Sequence, residues 1–236
     1  VGVDKVCVYK TLRVGVLSTG DELCEPQDSP RKGQIYDANR PMLLALIAQF
    51  GFVPVDLGIA QDDRDQLKAA LDQATEQCDV ILTSGGASAG DEDHMSAILR
   101  DTGSMALWRI AVKPGRPLAL GVWKGVPVFG LPGNPVAAMT CTLIFARPAM
   151  AVLAGADWHQ SQGYLVPADF NKNKKSGRRE FLRARIGAKG VQVFKSEGSG
   201  RVSGLSWATG FVELSDEAQA ITQGDLVRYI PFTSFD

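Results

Sequence analysis

The feature that most constrains this chain is a change of rhythm. Over residues 12–154 short apolar runs alternate with segments of helical spacing, and beyond Gly155 only short β-type runs remain. The strand-like runs of the first part are 12–18 (LRVGVLS), 52–58, 79–84 (DVILTS) and 126–131, with two more flanking the turn at 113–117. The run 79–84 is apolar throughout, as strands buried on both faces are. Residues 40–51 read as a helix, with Asn39 as the capping residue, Pro41 in the first turn and Gly51 as the stop. Asp62 or Asp63 caps a second helix, which gathers Leu67, Ala70, Leu71, Ala74 and Cys78 on one face. A third helix is expected near 95–101, and an apolar one from Pro135.

This alternation predicts a parallel-type sheet covered by helices on both faces, a three-layer α/β sandwich. After the change, runs at 164–170, 179–186, 191–195, 210–214 and 225–230 predict a small all-β barrel or sandwich with no helix among them. The expected organisation is 12–156 as the α/β domain and 157–236 as the β domain. Residues 1–11, which lack a core of their own, read as the remnant of a preceding region.

The 236 residues suit two domains of roughly 100–150 residues each. With 25 Lys+Arg against 26 Asp+Glu the net charge is −1, which argues against a basic nucleic-acid or membrane surface. Any anion site must therefore be local. The most apolar window, 136–154, is interrupted by Arg147-Pro148 and reads as a buried core helix rather than a membrane span. The cysteines at 7, 24, 78 and 141 form no C-x-x-C pair and only two histidines are present, so zinc or iron–sulfur chemistry is not expected. Reduced thiols in a cytoplasmic protein are the expectation.

Ligands of open α/β sheets sit at the carboxyl ends of the strands, and four polar loops fall at such ends here. The first, Ser18-Thr19-Gly20-Asp21-Glu22, offers hydroxyls, a tight turn and carboxylates that suit Mg²⁺; a capped turn with solvated acids would look the same. The second runs from Ser84 through Gly85, Gly86, Ser88 and Gly90 to Asp91, Glu92 and Asp93. Its successive amides can cradle a phosphate, and the acids after them call for a divalent cation, although an acidic surface loop would share this composition. Lys113-Pro114-Gly115-Arg116-Pro117 holds two cations on a stiff turn. Pro132-Gly133-Asn134 feeds a helix N-terminus, with Asn134 as the capping residue. Asp62-Asp63 is adequately explained by capping. No Ser-His-Asp or Cys-His arrangement is suggested, so the chemistry should be electrostatic.

These loops, in this order, resemble the molybdopterin molybdenumtransferase family, bacterial MoeA and the E domain of gephyrin. The resemblance is carried by STGDEL (18–23), SGGASAGDED (84–93), KPGRP (113–117), LPGNPVAA (131–138), GRREF (177–181) and EGSG (197–200). It implies an α/β domain like that of the molybdopterin adenylyltransferases, a C-terminal β-barrel, and a homodimer completed by N-terminal regions. The implied reaction is the Mg²⁺-dependent joining of molybdate to adenylylated molybdopterin with release of AMP. By resemblance, Ser18, Glu22 and Asp93 serve Mg²⁺ and phosphate, with Glu22 and Asp93 as the metal ligands. Thr19, Gly20, Ser84, Gly85, Gly86, Ser88, Gly90, Pro132, Gly133 and Asn134 line the nucleotide and pterin cleft. Lys113 and Arg116 face the oxyanion, Asp62 and Asp63 lie near the cleft, and Arg183 and Ser199 are cleft residues of the β part. Arg116 stands where the family often carries Lys, and Ala137 where it often carries Ser or Thr. The adenylyltransferase and the molybdenum enzymes are possible protein partners. Two alternatives stay open: a molybdopterin adenylyltransferase, and a non-catalytic dimerising scaffold of the gephyrin type.

Overall fold

The computed structural model describes residues 2–85, 94–101 and 105–236, apart from the side chains of 105–109 and 117. In chain order, the α/β part runs β1 (Arg13–Thr19), β2 (Leu23–Cys24), β3 (Ile35–Tyr36), α1 (Asn39–Gln49), β4 (Val53–Ala60), α2 (Arg64–Thr75), β5 (Val80–Ser84), α3 (His94–Asp101), β6 (Met105–Arg109), β7 (Val112–Lys113), β8 (Pro117–Trp123) and β9 (Val126–Leu131). A long helical run then comprises α4 (Pro135–Cys141), a π-helical turn (Thr142–Ala146) and α5 (Arg147–Leu153).

The main sheet has the order β4-β1-β5-β9-β8-β6. Its first four strands are parallel, as expected; β8 runs antiparallel to them, and β6, antiparallel to β8, returns to their direction. The cause is local: Lys124 and Gly125, at φ 47° and 87°, make the left-handed two-residue turn that joins neighbouring strands as a hairpin. Strand alternation sends Val80 and Leu82 to one apolar cluster with Leu43 and Ile47 of α1, Ala138 of α4 and Met150 of α5. Ile81 goes to the opposite face, with Leu67 and Leu71 of α2 and Ile98 of α3. The three-layer sandwich follows from that alternation.

Pro148 lacks the N–H that would close an ordinary helical turn. The amide of Arg147 instead reaches back to the carbonyl of Thr142, a widened turn where the apolar run was expected to break. Pro135–Leu153 is apolar and long enough to cross a membrane by length and composition, yet 61% of its apolar window is buried within the fold.

The β part contains β10 (Tyr164–Pro167), β11 (Lys172–Lys174), β12 (Arg179–Gly187), β13 (Gly190–Val193), α6 (Ser203–Trp207), β14 (Gly210–Leu214), β15 (Gln219–Ile221) and β16 (Leu226–Pro231), then a 3₁₀ turn over Phe232–Phe235. Its sheet has the order β10-β16-β14-β12-β13, and a bridge between Ala168 and Val191 joins its two edges into a small barrel. The short helix α6, unexpected from sequence, packs against β12. One side of the barrel joins the core of the α/β part: Phe181, Phe211, Ile230 and Phe235 belong to the same cluster as Leu43 and Leu82. Phe211 meets Phe181 and Phe232 edge-on, at 6.0 and 5.0 Å between centroids. β7 leaves the α/β part altogether and pairs with β12.

One buried cation pins the loop after β1. Arg40 donates to Asp37 at 3.1 Å, to Asp56 at 2.6 Å and also to Glu25. Burial alone would lower its pKa, but the hydrogen bonds to Asp56 and Asp37 win and push it up. Arg40→Met would leave Asp37, 2% exposed, as a buried unpaired carboxylate. A loss of about 3–5 kcal/mol is expected in urea unfolding; a loss below about 1 kcal/mol would deny the network a structural role.

Candidate functional site

At the carboxyl ends of β1, β5 and β9 lies an open cavity of about 650 Å³. All four strand-end turns reach it. Thr19 and Glu22 come from the first, Ser84 and Gly85 from the second, Lys113 and Arg116 from the third, and Pro132, Gly133 and Asn134 from the fourth. The β part closes the far side with Arg178, Glu197 and Ser199. Gly86, Ser88, Gly90, Asp91, Glu92 and Asp93 lie outside the described residues.

The first two turns touch directly. Gly85 sits at φ +93°, and a β-carbon there would lie 2.1 Å from the Thr19 carbonyl oxygen, so only glycine fits. Gly20, at φ +141°, makes the turn over which the Glu22 carboxylate folds back. Ser18 is fully buried behind the cavity wall. Its hydroxyl and that of Thr19 have no hydrogen-bond partner among the described residues. Buried hydroxyls of this kind are normally satisfied.

Asn39 does not cap α1: Ala38 occupies the cap position without a side-chain bond. The Asn39 amide instead donates to Ser84 Oγ and to the Gly133 carbonyl, both at 2.7 Å, and so ties the second turn to the fourth. Since Gly133 offers only an acceptor, the amide orientation is set, and Oδ1 is left buried without a partner among the described residues. Asn134 stands at the start of α4 but makes no capping bond. The helix entrance is also largely occupied, because Pro135 has no N–H and the Val136 amide donates to the Ser199 carbonyl at 3.1 Å.

Ser18 and Gly20 belong to the first turn without lining the cavity, and three further predicted residues lie elsewhere. Asp63 caps α2 by accepting from the amides of Asp65 and Gln66. Asp62 meets the neighbouring loop, its amide donating to Asp21 Oδ1 at 3.1 Å. Neither lines the cavity. Arg183 does not line it either: its guanidinium donates to the carbonyls of Ser196, Gly198 and Arg201, and stacks over Phe194. It holds the loop that presents Glu197 and Ser199.

Lys113 reaches the cavity already paired, to Glu197 at 2.5 Å and Glu180 at 3.5 Å. Lys172 is the other member of this network, pairing with the same two carboxylates. Arg116 and Arg178 are exposed at the cavity and make no ion pair among the described residues. Lys172, Arg178 and Glu197 are not singled out from sequence, and Asn39 is expected there only as a helix cap. Arg178 and Glu197 stand within the GRREF and EGSG stretches, which were the available signal. The thiols of Cys78 and Cys141 are pushed up by burial, to about 11 and 12.

The chain matches the family described as the probable molybdopterin binding domain over residues 15–152, and the MoeA C-terminal region (domain IV) over residues 166–232. It is 35% identical to a molybdopterin molybdenumtransferase of Haemophilus influenzae over 98% of its own length and 59% of the relative's. It is 34% identical to the molybdenum cofactor synthesis protein cinnamon of Drosophila melanogaster, over 81% of this chain and 32% of that one. A solved molybdopterin biosynthesis MoeA protein of Pyrococcus horikoshii superposes with a TM-score of 0.81 at 31% identity, covering 94% of this chain and 55% of that one. The chain thus spans less than two thirds of each of these relatives.

Hydrogen bonds from Lys113 and Lys172 hold the Glu197 carboxyl down, from 4.5 to about 2. A depressed carboxylate stabilises the fold above its unfolded pKa, and that contribution is lost as pH falls through its folded value. The stability gap between the wild type and Glu197→Gln is therefore expected to be full above pH 4.5 and to close as pH falls towards 2. Urea midpoints across that range test this, and a gap that does not change with pH would dismiss the ion pair.

Proposed function

This chain belongs to the family of the probable molybdopterin binding domain, with the MoeA C-terminal region after it, and from that premise we propose that it joins molybdate to adenylylated molybdopterin with release of AMP. The observation that carries the reading is the convergence of all four turns on one cavity, lined by Arg116, Arg178 and Glu22 among others. Two negatively charged reactants must be brought side by side, and an open, oxygen- and cation-lined cavity serves that end. The β part supplies Arg178, Glu197 and Ser199 to the cavity, which favours this reaction over that of a molybdopterin adenylyltransferase consisting of the α/β part alone.

In this reading Mg²⁺ would be held by Glu22 and Asp93. The donors present fit a hard cation: Glu22 is an exposed carboxylate at the cavity, and the hydroxyl of Thr19, which also lines it, is buried without a partner among the described residues. The described residues contain no group of three or more His, Cys, Asp or Glu able to hold a metal, so the reading requires acids of the 91–93 stretch and ligand oxygens. When bound, the ion would offset phosphate charge. The chain's own groups do the rest. Glu22 orients the phosphate side, Thr19 and Gly85 shape the nucleotide seat, and the Asn39 Oδ1 accepts from a hydroxyl or amine of the ligand. Arg116 and Arg178 draw in the oxyanion. The setting proposed is the cytoplasm, where the free cysteines stay reduced. There the protein acts as a homodimer with its N-terminal regions, between the adenylyltransferase that makes the substrate and the molybdenum enzymes that take the product.

Asp93→Asn in the full-length protein is expected to lower Mg²⁺-dependent AMP release by about 10²–10³-fold, the scale for loss of one electrostatic group. The check is single-turnover release of AMP from adenylylated molybdopterin in the presence of molybdate; unchanged turnover would remove Asp93 from the metal site.

A further inference from the structure

Behind the main cavity lies a second, smaller one of about 190 Å³, bordered by Lys113, Lys172, Arg183 and Glu197. Lys113 and Glu197 border both cavities and so form part of the wall between them. The Glu197 carboxylate bridges the two ammonium groups, with Oε2 at 2.5 Å from Lys113 Nζ and Oε1 against Lys172 Nζ. Glu180 sits deeper and pairs with the same lysines less closely, at 3.5 and 3.3 Å. The exposures separate the two acids: the Glu180 side chain is 10% exposed and that of Glu197 is 49% exposed.

We propose that Glu197 is a displaceable plug, its carboxylate occupying an oxyanion seat built by Lys113 and Lys172, and that an incoming tetrahedral oxyanion expels it. This deepens the functional reading above and rests on it for the identity of the oxyanion as molybdate. Two carboxylate oxygens held by two ammonium groups reproduce what two oxygens of a tetrahedral oxyanion would receive. Removal of the Glu197 charge leaves two lysines against Glu180, a net charge of +1 in the seat. A volume of about 190 Å³ accepts a tetrahedral oxyanion together with a few waters, each water needing about 30 Å³.

The movement required is small. Arg183 grips the carbonyls of Ser196, Gly198 and Arg201, so the main chain on both sides of Glu197 is anchored. The Val136 amide holds the carbonyl of Ser199 as well. Rotation of the Glu197 side chain alone opens the seat, and its half-exposed carboxylate has the larger cavity to turn into.

An occupied seat weakens the observed affinity in proportion to the fraction of time it is blocked. Calorimetric titration of the full-length protein with molybdate, without nucleotide, tests the idea. Glu197→Gln is expected to bind molybdate about tenfold more tightly than the wild type, and Glu197→Ala serves if the amide variant does not fold. Unchanged affinity, weaker affinity or no binding in a folded variant overturns the plug, because a purely structural ion pair would leave affinity unchanged or lower it. Adding Lys172→Gln to Glu197→Gln is expected to abolish the gain, and its persistence overturns the role of Lys172. AMP release from adenylylated molybdopterin is scored separately. If the titrations behave as expected and no AMP appears, the seat stands and the reaction is wrong. If AMP is released and the titrations do not change, the reaction stands and the seat is wrong.

Discussion

Two residues of β-pairing set the geometry of the whole cavity. β7 leaves the main sheet and pairs in parallel with β12, Val112 opposite Arg179 and Lys113 opposite Glu180. The Arg179 amide reaches the Ala111 carbonyl at 2.8 Å and extends the join. Val112 is buried in the cluster that also holds Phe181 and Phe211 of the barrel, so the hydrogen bonds lie beside an apolar core that runs through both parts. Burial of that kind, at about 25 cal/mol per Å², outweighs the two ladder bonds in energy. The pairing contributes direction. It points the third turn at the ends of β1, β5 and β9, and it carries Lys113 into reach of carboxylates that belong to the other half of the chain.

Charge is handled in two ways, divided by exposure. Among the described residues, the buried cations are matched. Arg40 has three carboxylates, Lys172 has two, and Lys174 donates to the carbonyls of Lys175 and Glu217. Arg183 takes three carbonyls. Burying a charge without such partners costs several kcal/mol. The groups left unpaired at the cavity among the described residues, Arg116, Arg178 and Glu22, are exposed, where water still solvates them. Their desolvation is deferred until a ligand arrives to replace that water.

The legibility of this chain in its sequence divides along similar lines. The strands β1, β5 and β9 were readable because burial on both faces demands continuous apolar runs, and α2 because its apolar face recurs at helical spacing and Asp63 caps it. The antiparallel direction of β8 was written in Lys124-Gly125, a two-residue turn whose left-handed φ values close a hairpin, but alternation with helices suggested parallel strands. β11 is three residues long and pairs only with the equally short β15, so no local pattern marks it; a strand is expected before the 113–117 turn, but the pairing of the two-residue β7 with distant β12 has no local sign. The same holds in the site. The turns were legible because glycine and proline punctuate them. Asn39 was read as a cap because Asn before a helical pattern usually is one, whereas its amide found better acceptors across the cavity. Arg183 is expected in the cleft, but its guanidinium is taken up by the carbonyls of Ser196, Gly198 and Arg201 in the loop behind. Lys172 carries no local signal and Glu197 only its place in EGSG, since their meaning lies in the ion pair they make with each other.

For a chain of net charge −1, the proposed dianionic substrate poses a selection problem, and the proposed plug answers it. A singly charged competitor arriving at Lys113 and Lys172 replaces one carboxylate by another equivalent charge, with no net electrostatic gain. A dianion satisfies the same two lysines and keeps a second charge for the rim, where Arg116 and Arg178 have no partner among the described residues. Coulomb attraction near a protein surface is worth a few kcal/mol at contact, enough to favour the dianion over internal carboxylate and monoanion together. The internal acid therefore lowers affinity for every oxyanion, and lowers it least for the one with charge to spare.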